Sequence, residues 1–169
     1  MKRLINGLIL LTLITVYSLS QNDGFSQNVA VLDAKYGFKD AKFETPITYF
    51  KNMVKQGPGI YTRSTENLRL GEFDLESVFY NFYKGLLSSI VIETEGYRNG
   101  QGVLQILQAA YGNGRYEDET YYWMGNRVVM TYSEGPASGH VAIGIFSIKM
   151  MQMQDDDEKE AAKKAASEL

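Results

Sequence analysis

The chain has 169 residues, no cysteine, one histidine, 12 tyrosines and one tryptophan, and a formal net charge of −3. Without cysteine it can be neither a disulfide-stapled domain nor a lipoprotein, whose lipid is carried on a cysteine. A lone histidine leaves no ligand set for zinc, and an acidic chain lacks the basic patch that nucleic acid requires.

The chain opens MKRLINGLILLTLITVYSLSQND. Lys2 and Arg3 form a short positive region, an apolar run covers Leu4 to Val16, and Ser18-Leu19-Ser20 offers small residues before a cleavage point. This is the layout of a secretory signal peptide, with residues 1–20 expected to be removed. The apolar run of 13 residues falls short of the ~20 that span a bilayer, so no stable membrane insertion is expected after cleavage. Losing Lys2 and Arg3 and no acid leaves 15 basic against 20 acidic residues, net −5. The mature protein is expected to be soluble, and periplasmic or extracellular.

After a polar lead-in (21–28), residues 29–150 are expected to form one domain, an ordinary size for a single core. Thr45 followed by Pro46 reads as a helix cap with proline in the first turn, and Ile47, Phe50, Met53 and Val54 follow at helical spacing. Gly57-Pro58-Gly59 would stop that helix, giving a span of 45–55. A second helix is predicted over 100–111, with Val103, Leu104, Ile106, Leu107 and Ala110 as its apolar face. Strands are predicted near 66–73, 77–84, 86–94, 118–124, 127–133 and 140–149, separated by glycine-containing turns that imply antiparallel pairing. Small Ala142 and Gly144 in the last strand mark a place where a helix could approach. The fold class is therefore α+β: a single antiparallel sheet with two helices on one face, built from a degenerate α-β-β-β repeat. An irregular α+β sandwich without a repeat is the alternative. Residues 151–169 form a charged tail, helical or disordered, in which Asp155, Asp156 and Asp157 precede Lys159, Lys163 and Lys164.

The segment FETPITYF, read as a strand end and a capped helix, resembles the opening of small exported bacterial proteins that repeat a helix plus antiparallel strands. The β-lactamase inhibitory protein and small outer-membrane-assembly lipoproteins are examples, and the likeness extends over 38–149 as a pattern. It implies helices on one side of the sheet and a free sheet face that binds another protein. Glu44 stands where such segments commonly have glycine, and no functional residue is carried over.

Catalytic constellations are hard to find. His140 opens the last predicted strand, but no G-x-S-x-G elbow accompanies it. GYRNGQG and GNGR flank the second helix and match neither a P-loop nor a dinucleotide fingerprint; their functional alternative is an anion nest near Arg98. Glu93 with Glu95, and the group Glu117, Asp118 and Glu119, are the available carboxylates, and nothing in their spacing singles out a glycosidase pair. The aromatic load is more informative. Alternation puts Phe79 and Tyr83 opposite Val78, Tyr80 and Phe82, and in TYYWM either Tyr121 with Trp123 or Tyr122 with Met124 must face outward. Phe79, Tyr83, Tyr122 and Trp123 are the candidate binding residues, on an aromatic face suited to protein contact. The expectation is a non-enzymatic module without cofactor or metal, whose partner is another envelope protein, a peptide or a second copy. The alternatives are a small-molecule or glycan site (or a weak hydrolase) using Tyr and Trp with the acids, and a structural homo-oligomer.

Overall fold

The computed structural model describes residues 27–135 and 139–168; the expected signal peptide, most of the lead-in and the tripeptide Pro136-Ala137-Ser138 of the loop before His140 lie outside them. The chain is an α+β protein whose main sheet has eight strands, all antiparallel, in the order β3-β4-β7-β8-β12-β11-β10-β9. These are β3 (Met53–Gly57), β4 (Ile60–Arg63), β7 (Ser77–Tyr83), β8 (Leu86–Glu95), β9 (Arg115–Glu117), β10 (Thr120–Met124), β11 (Val128–Glu134) and β12 (His140–Ser147). Two small hairpins, β1 (Gly37–Phe38) with β2 (Ala41–Lys42) and β5 (Arg69–Leu70) with β6 (Phe73–Asp74), stand apart from it. The helices are α1 (Val29–Lys35), α2 (Tyr97–Tyr111) and α3 (Ile148–Ala166).

The sheet is two four-stranded meanders laid edge to edge, β3-β4-β7-β8 and β12-β11-β10-β9, joined where β8 pairs with β12. The second half has the expected helix and its three expected strands, with the short β9 added, but the first half lacks its helix. The helix predicted over 45–55 is replaced by a 3-10 turn at Ile47–Tyr49 and then by β3. Two causes are visible. The stretch is rich in β-branched and aromatic residues, which are mediocre helix formers. Strand β8 also supplies an alternative set of backbone bonds: Glu44 donates its N–H to the Leu87 carbonyl, Leu87 donates to Thr45, and Ile47 donates to Gly85. Gly57-Pro58-Gly59, read as a helix stop, is the turn of the β3–β4 hairpin.

Two helices do lie on one side of the sheet, but they are α1 and α2. Helix α1 has seven residues, too few to persist alone, and is held by buried Leu32 and by the bond from Asn28 N–H to the Tyr111 carbonyl. Helix α2 starts at Tyr97, so Gly100 and Gly102 are inside it and are buried. A Cβ on Gly102 would stand 2.1 Å from the Phe73 ring, so glycine there lets the β5–β6 hairpin close over the helix.

The core fills the space between sheet and helices. Val78, Tyr80, Leu87, Ile90, Ile92, Trp123, Val128, Met130, Tyr132, Val141, Ile143 and Ile145 supply the strand side, with Leu32, Val103, Leu104 and Leu107 opposite. Simple alternation along β8 would put Leu86, Ser88, Ile90 and Ile92 together. A bulge intervenes: Asn81 pairs with Ser89 while Phe82 pairs with Leu87, leaving Ser88 as the extra residue. Its hydroxyl donates to the Asn81 carbonyl at 2.9 Å, and Leu87 rather than Leu86 joins Ile90 in the core.

The charged tail is helical. The Ser147 hydroxyl caps α3 by accepting the Met150 N–H, and Met150 is buried beneath the first turns. None of the helices among the described residues is long and apolar enough to cross a membrane.

Candidate functional site

Cross-strand register defines the side of the sheet away from α1 and α2. One row runs Phe79, Val91, Gly144, Thr131, Tyr122 and Arg115, each residue paired with the next. A polar row beside it runs Ser77, Glu93, Ala142, Ser133, Thr120 and Glu117. On its other side run Asn81, Ser89, Phe146, Val129 and Met124. Most of these side chains are half-buried, where the residues they alternate with are fully buried. At Gly144 a Cβ would lie 2.4 Å from the Phe146 ring, so that ring folds over the missing side chain and closes the centre of the row. The closeness expected of a helix at Ala142 and Gly144 is taken up by this ring, not by a helix.

Helix α3 borders this face. Its early residues Met150, Met151 and Gln154 form one wall of a groove of about 290 Å³, whose floor includes Phe82, Val91 and Phe146 and whose end is the β3–β4 turn. Asp157 fastens the helix: Tyr83 donates its hydroxyl to the Asp157 carboxylate at 2.6 Å, and Lys84 lies 2.5 Å from the same oxygen. Those two donors hold the Asp157 carboxyl below the ordinary carboxylate value, and the bond to Asp157 pushes the Tyr83 hydroxyl up to about 12.

The four predicted binding residues therefore separate. Phe79 and Tyr122 share the open face and the same row. Tyr83 lies at the end of β7 and serves as the fastening for α3. Trp123 is a correction: it is fully buried on the helix side, with its indole N–H donated to the Gly112 carbonyl at 2.8 Å and its ring stacked on Tyr121. A buried acceptor at the right distance allows a tryptophan to be enclosed completely. The choice in TYYWM falls to Tyr122 and Met124 as the outward pair, and Met151 and Gln154 on α3 join the face without any signal in the strand pattern.

A second concavity, of about 300 Å³, lies on the helix side at the β9 edge. It is lined by Gln101 and Leu104 of α2, Tyr116, Glu119, Tyr121, Tyr132 and Glu134. Tyr116, Tyr121 and Tyr132 are successive cross-strand partners, with ring centroids 4.7 and 6.0 Å apart along the series. The Glu134 carboxylate accepts from the Tyr132 hydroxyl at 2.5 Å and from the Gln101 amide at 2.8 Å. Burial first, and then the bond to Glu134, raise the Tyr132 pKa far above that of an ordinary phenol, so the ring stays neutral. The acidic group expected at 117–119 is split by the turn. Glu117 pairs with Arg115 at 3.1 Å on the open side, whereas Glu119 lines the helix-side cleft.

Other polar clusters are structural in character. Asp33 on α1 accepts the backbone N–H groups of Asn126, Arg127 and Val128 at 2.7, 2.8 and 3.1 Å, clasping the β10–β11 turn. Glu44 accepts from Tyr36 and Lys149, and the Arg127 guanidinium sits 3.7 Å over the Tyr36 ring. Burial opposes ionisation of Glu44, but the two donors outweigh it and lower its pKa. Arg63 lies against the Phe50 and Tyr80 rings and pairs with Asp40 at 2.9 Å. His140 has Nδ1 3.7 Å from Glu76 and Nε2 3.9 Å from Glu93, whose carboxylate also accepts the Ser77 hydroxyl at 2.7 Å. Glu95 is on the same face, one position beyond. Arg98 falls in the first turn of α2, so the glycines around it belong to the helix and form no loop nest. Among the described residues no three His, Cys, Asp or Glu side chains converge as a metal site. No family model, curated protein or solved structure matches the chain.

Proposed function

We propose that the protein is an exported binding module without catalytic activity, and that its open sheet face takes an extended apolar segment of another envelope protein. The observation that carries this reading is the groove between α3 and the sheet, continuous with the row Phe79, Val91 and Tyr122. Its walls combine aromatic rings with the methionines Met150 and Met151, and methionine adapts to varied apolar side chains. The carboxamides of Asn81 and Gln154 at its edge each have hydrogen-bonding capacity beyond the one bond they donate, available to a peptide backbone. Export rests on the signal-peptide pattern at 1–20.

The test is crosslinked capture from the native envelope by the mature chain, beside a Phe79→Ser/Tyr122→Ser/Met151→Ser variant whose circular dichroism matches the parent. One protein captured by the parent and lost by the variant supports the reading. Capture that survives the variant overturns it. So does a size-exclusion mass that is dimeric for the parent and monomeric for the variant, which would assign the face to a second copy.

A further inference from the structure

The tyrosine-lined cleft on the helix side lies outside the surface just proposed and has a different chemistry. Tyr116 and Tyr121 line it, with the buried Tyr132 behind them, and both of its ionisable side chains besides tyrosine, Glu119 and Glu134, are acids. Among the described residues neither carboxylate has a cationic partner. Glu134 is held only by the neutral donors Tyr132 and Gln101, and Glu119 makes no ion pair among the described residues. Arg115, one strand position away, is committed to Glu117 on the opposite side of the sheet. Tyr116 at the outer edge is 59% exposed, an unusual state for a large ring that already packs on a neighbour.

The turn that presents Glu119 is uncommon in composition. Asp118 and Glu119 both have positive φ, 47° and 60°, at the centre of a two-residue hairpin where glycine or asparagine is the inexpensive choice. Positive φ at non-glycine residues recurs in other turns of the chain, at Lys39, Asn52 and Lys84; here the turn serves to place Glu119 in the lining of the cleft. Electron-rich ring faces and uncompensated carboxylates together favour an organic cation over an anion or a neutral sugar, because the rings attract positive charge and the acids neutralise it.

We propose that this cleft binds an alkylammonium group, with Tyr116 and Tyr121 as the aromatic wall and Glu119 and Glu134 as the charge partners. The group can come from a free amine or from a lysine side chain on a protein. The recognition is the same for both.

The full mature chain is titrated with choline, Nα-acetyl-lysine methylamide, the neutral isostere 3,3-dimethylbutan-1-ol and methyl glucoside, following tyrosine ring resonances by NMR. At least one cation is expected to perturb the Tyr116 and Tyr121 rings and to bind about tenfold tighter than the neutral isostere. Preference for choline points to a free amine, and preference for the lysine derivative to a protein source. The variant Glu119→Gly provides a control against simple damage. It relieves the turn, so thermal stability should hold or rise while cation affinity falls by about tenfold. Equal binding of the isostere or the glucoside, unchanged affinity in Glu119→Gly and Glu134→Gln, or no ring perturbation at millimolar cation would each overturn the proposal. None of these outcomes bears on the sheet-face groove, which lies on the other side of the strands.

Discussion

Tyr122 and Trp123 are neighbours in one strand and have opposite fates. Trp123 is enclosed by the Gly112 carbonyl, the backbone at Gly114 and the Tyr121 ring, whereas Tyr122 stands half-buried in the row shared with Phe79. The two sides of the sheet differ in the same way. The helix side has a continuous core and a clasp made of three backbone N–H groups on one carboxylate. The open side has one partial cover, α3, fastened at its rim through Asp157 to Tyr83 and Lys84 and through Lys149 to Glu44. An aromatic residue therefore reports burial only after the side it faces is known. Composition alone cannot distinguish a core aromatic from a surface one when both faces of a strand are apolar.

The sharpest way to break this comparison is to truncate one ring on each side. Trp123→Ala removes a fully enclosed side chain and its hydrogen bond, and should cost about 3–5 kcal/mol. Phe79→Ala removes a half-buried ring and should cost about 1 kcal/mol, since less area leaves water on folding. Urea midpoints at unchanged slope measure both. Equal losses would mean that the outer face is covered in solution.

The clasps differ in the same direction. Asp33→Ala strips an acceptor from three N–H groups of the β10–β11 turn and should cost about 1–3 kcal/mol, with faster amide exchange at 126–128. Asp33→Asn keeps one carbonyl oxygen and should lose less. If Asp33→Ala leaves exchange in the turn unchanged, water replaces the carboxylate at no cost, and the helix side is not clasped there.

The fastening of α3 is sensitive to pH at both ends. The Asp157 carboxyl titrates below its ordinary 3.8 in the folded chain, so its contribution is present above that value and is lost as pH falls through the lowered pKa. The Tyr83 hydroxyl is raised from 10.0 to about 12, so its contribution is complete below pH 10 and is lost as pH rises toward 12. Amide exchange in the first turns of α3 should be slowest between these limits. In Asp157→Asn, the ultraviolet titration of Tyr83 should move back toward 10.0. A Tyr83 titration unmoved by that substitution would show that Asp157 does not hold it.

Much of this architecture was legible in the sequence, and the failures share a cause. The antiparallel sheet, the helix ending at Tyr111 and the outward position of Phe79 follow from alternation and glycine punctuation, which are local signals. The helix predicted over 45–55 failed because Thr45-Pro46 is a good cap locally, while the backbone of β8 offered long-range partners that no local pattern records. Trp123 was misplaced because TYYWM carries apolar residues on both faces, leaving the choice to where α2 happens to pack. The cleft at Tyr116 was invisible for a related reason. Tyr116, Tyr121 and Tyr132 align only through the pairing register of three strands, and Glu119 joins them only through a turn of uncommon composition. The acidic stretch 117–119 was the available clue, and its members face different sides.

The smallest effect is expected at the end of the chain. Helix α3 continues well past Asp157, but the side chains from Glu158 to Glu168 are exposed and touch nothing that the core depends on. Its alanines and paired charges maintain helix formation, as in the ion pair from Lys159 to Asp155, without anchoring it. Ending the chain after Lys159 retains that pair and the Tyr83 fastening. Stability should therefore change by less than about 0.5 kcal/mol, and the amides at 150–154 should exchange as in the parent. A larger loss would mean that the overhang contributes to holding α3 over the groove, and the open side would then owe its cover to the whole helix and not to its first turns alone.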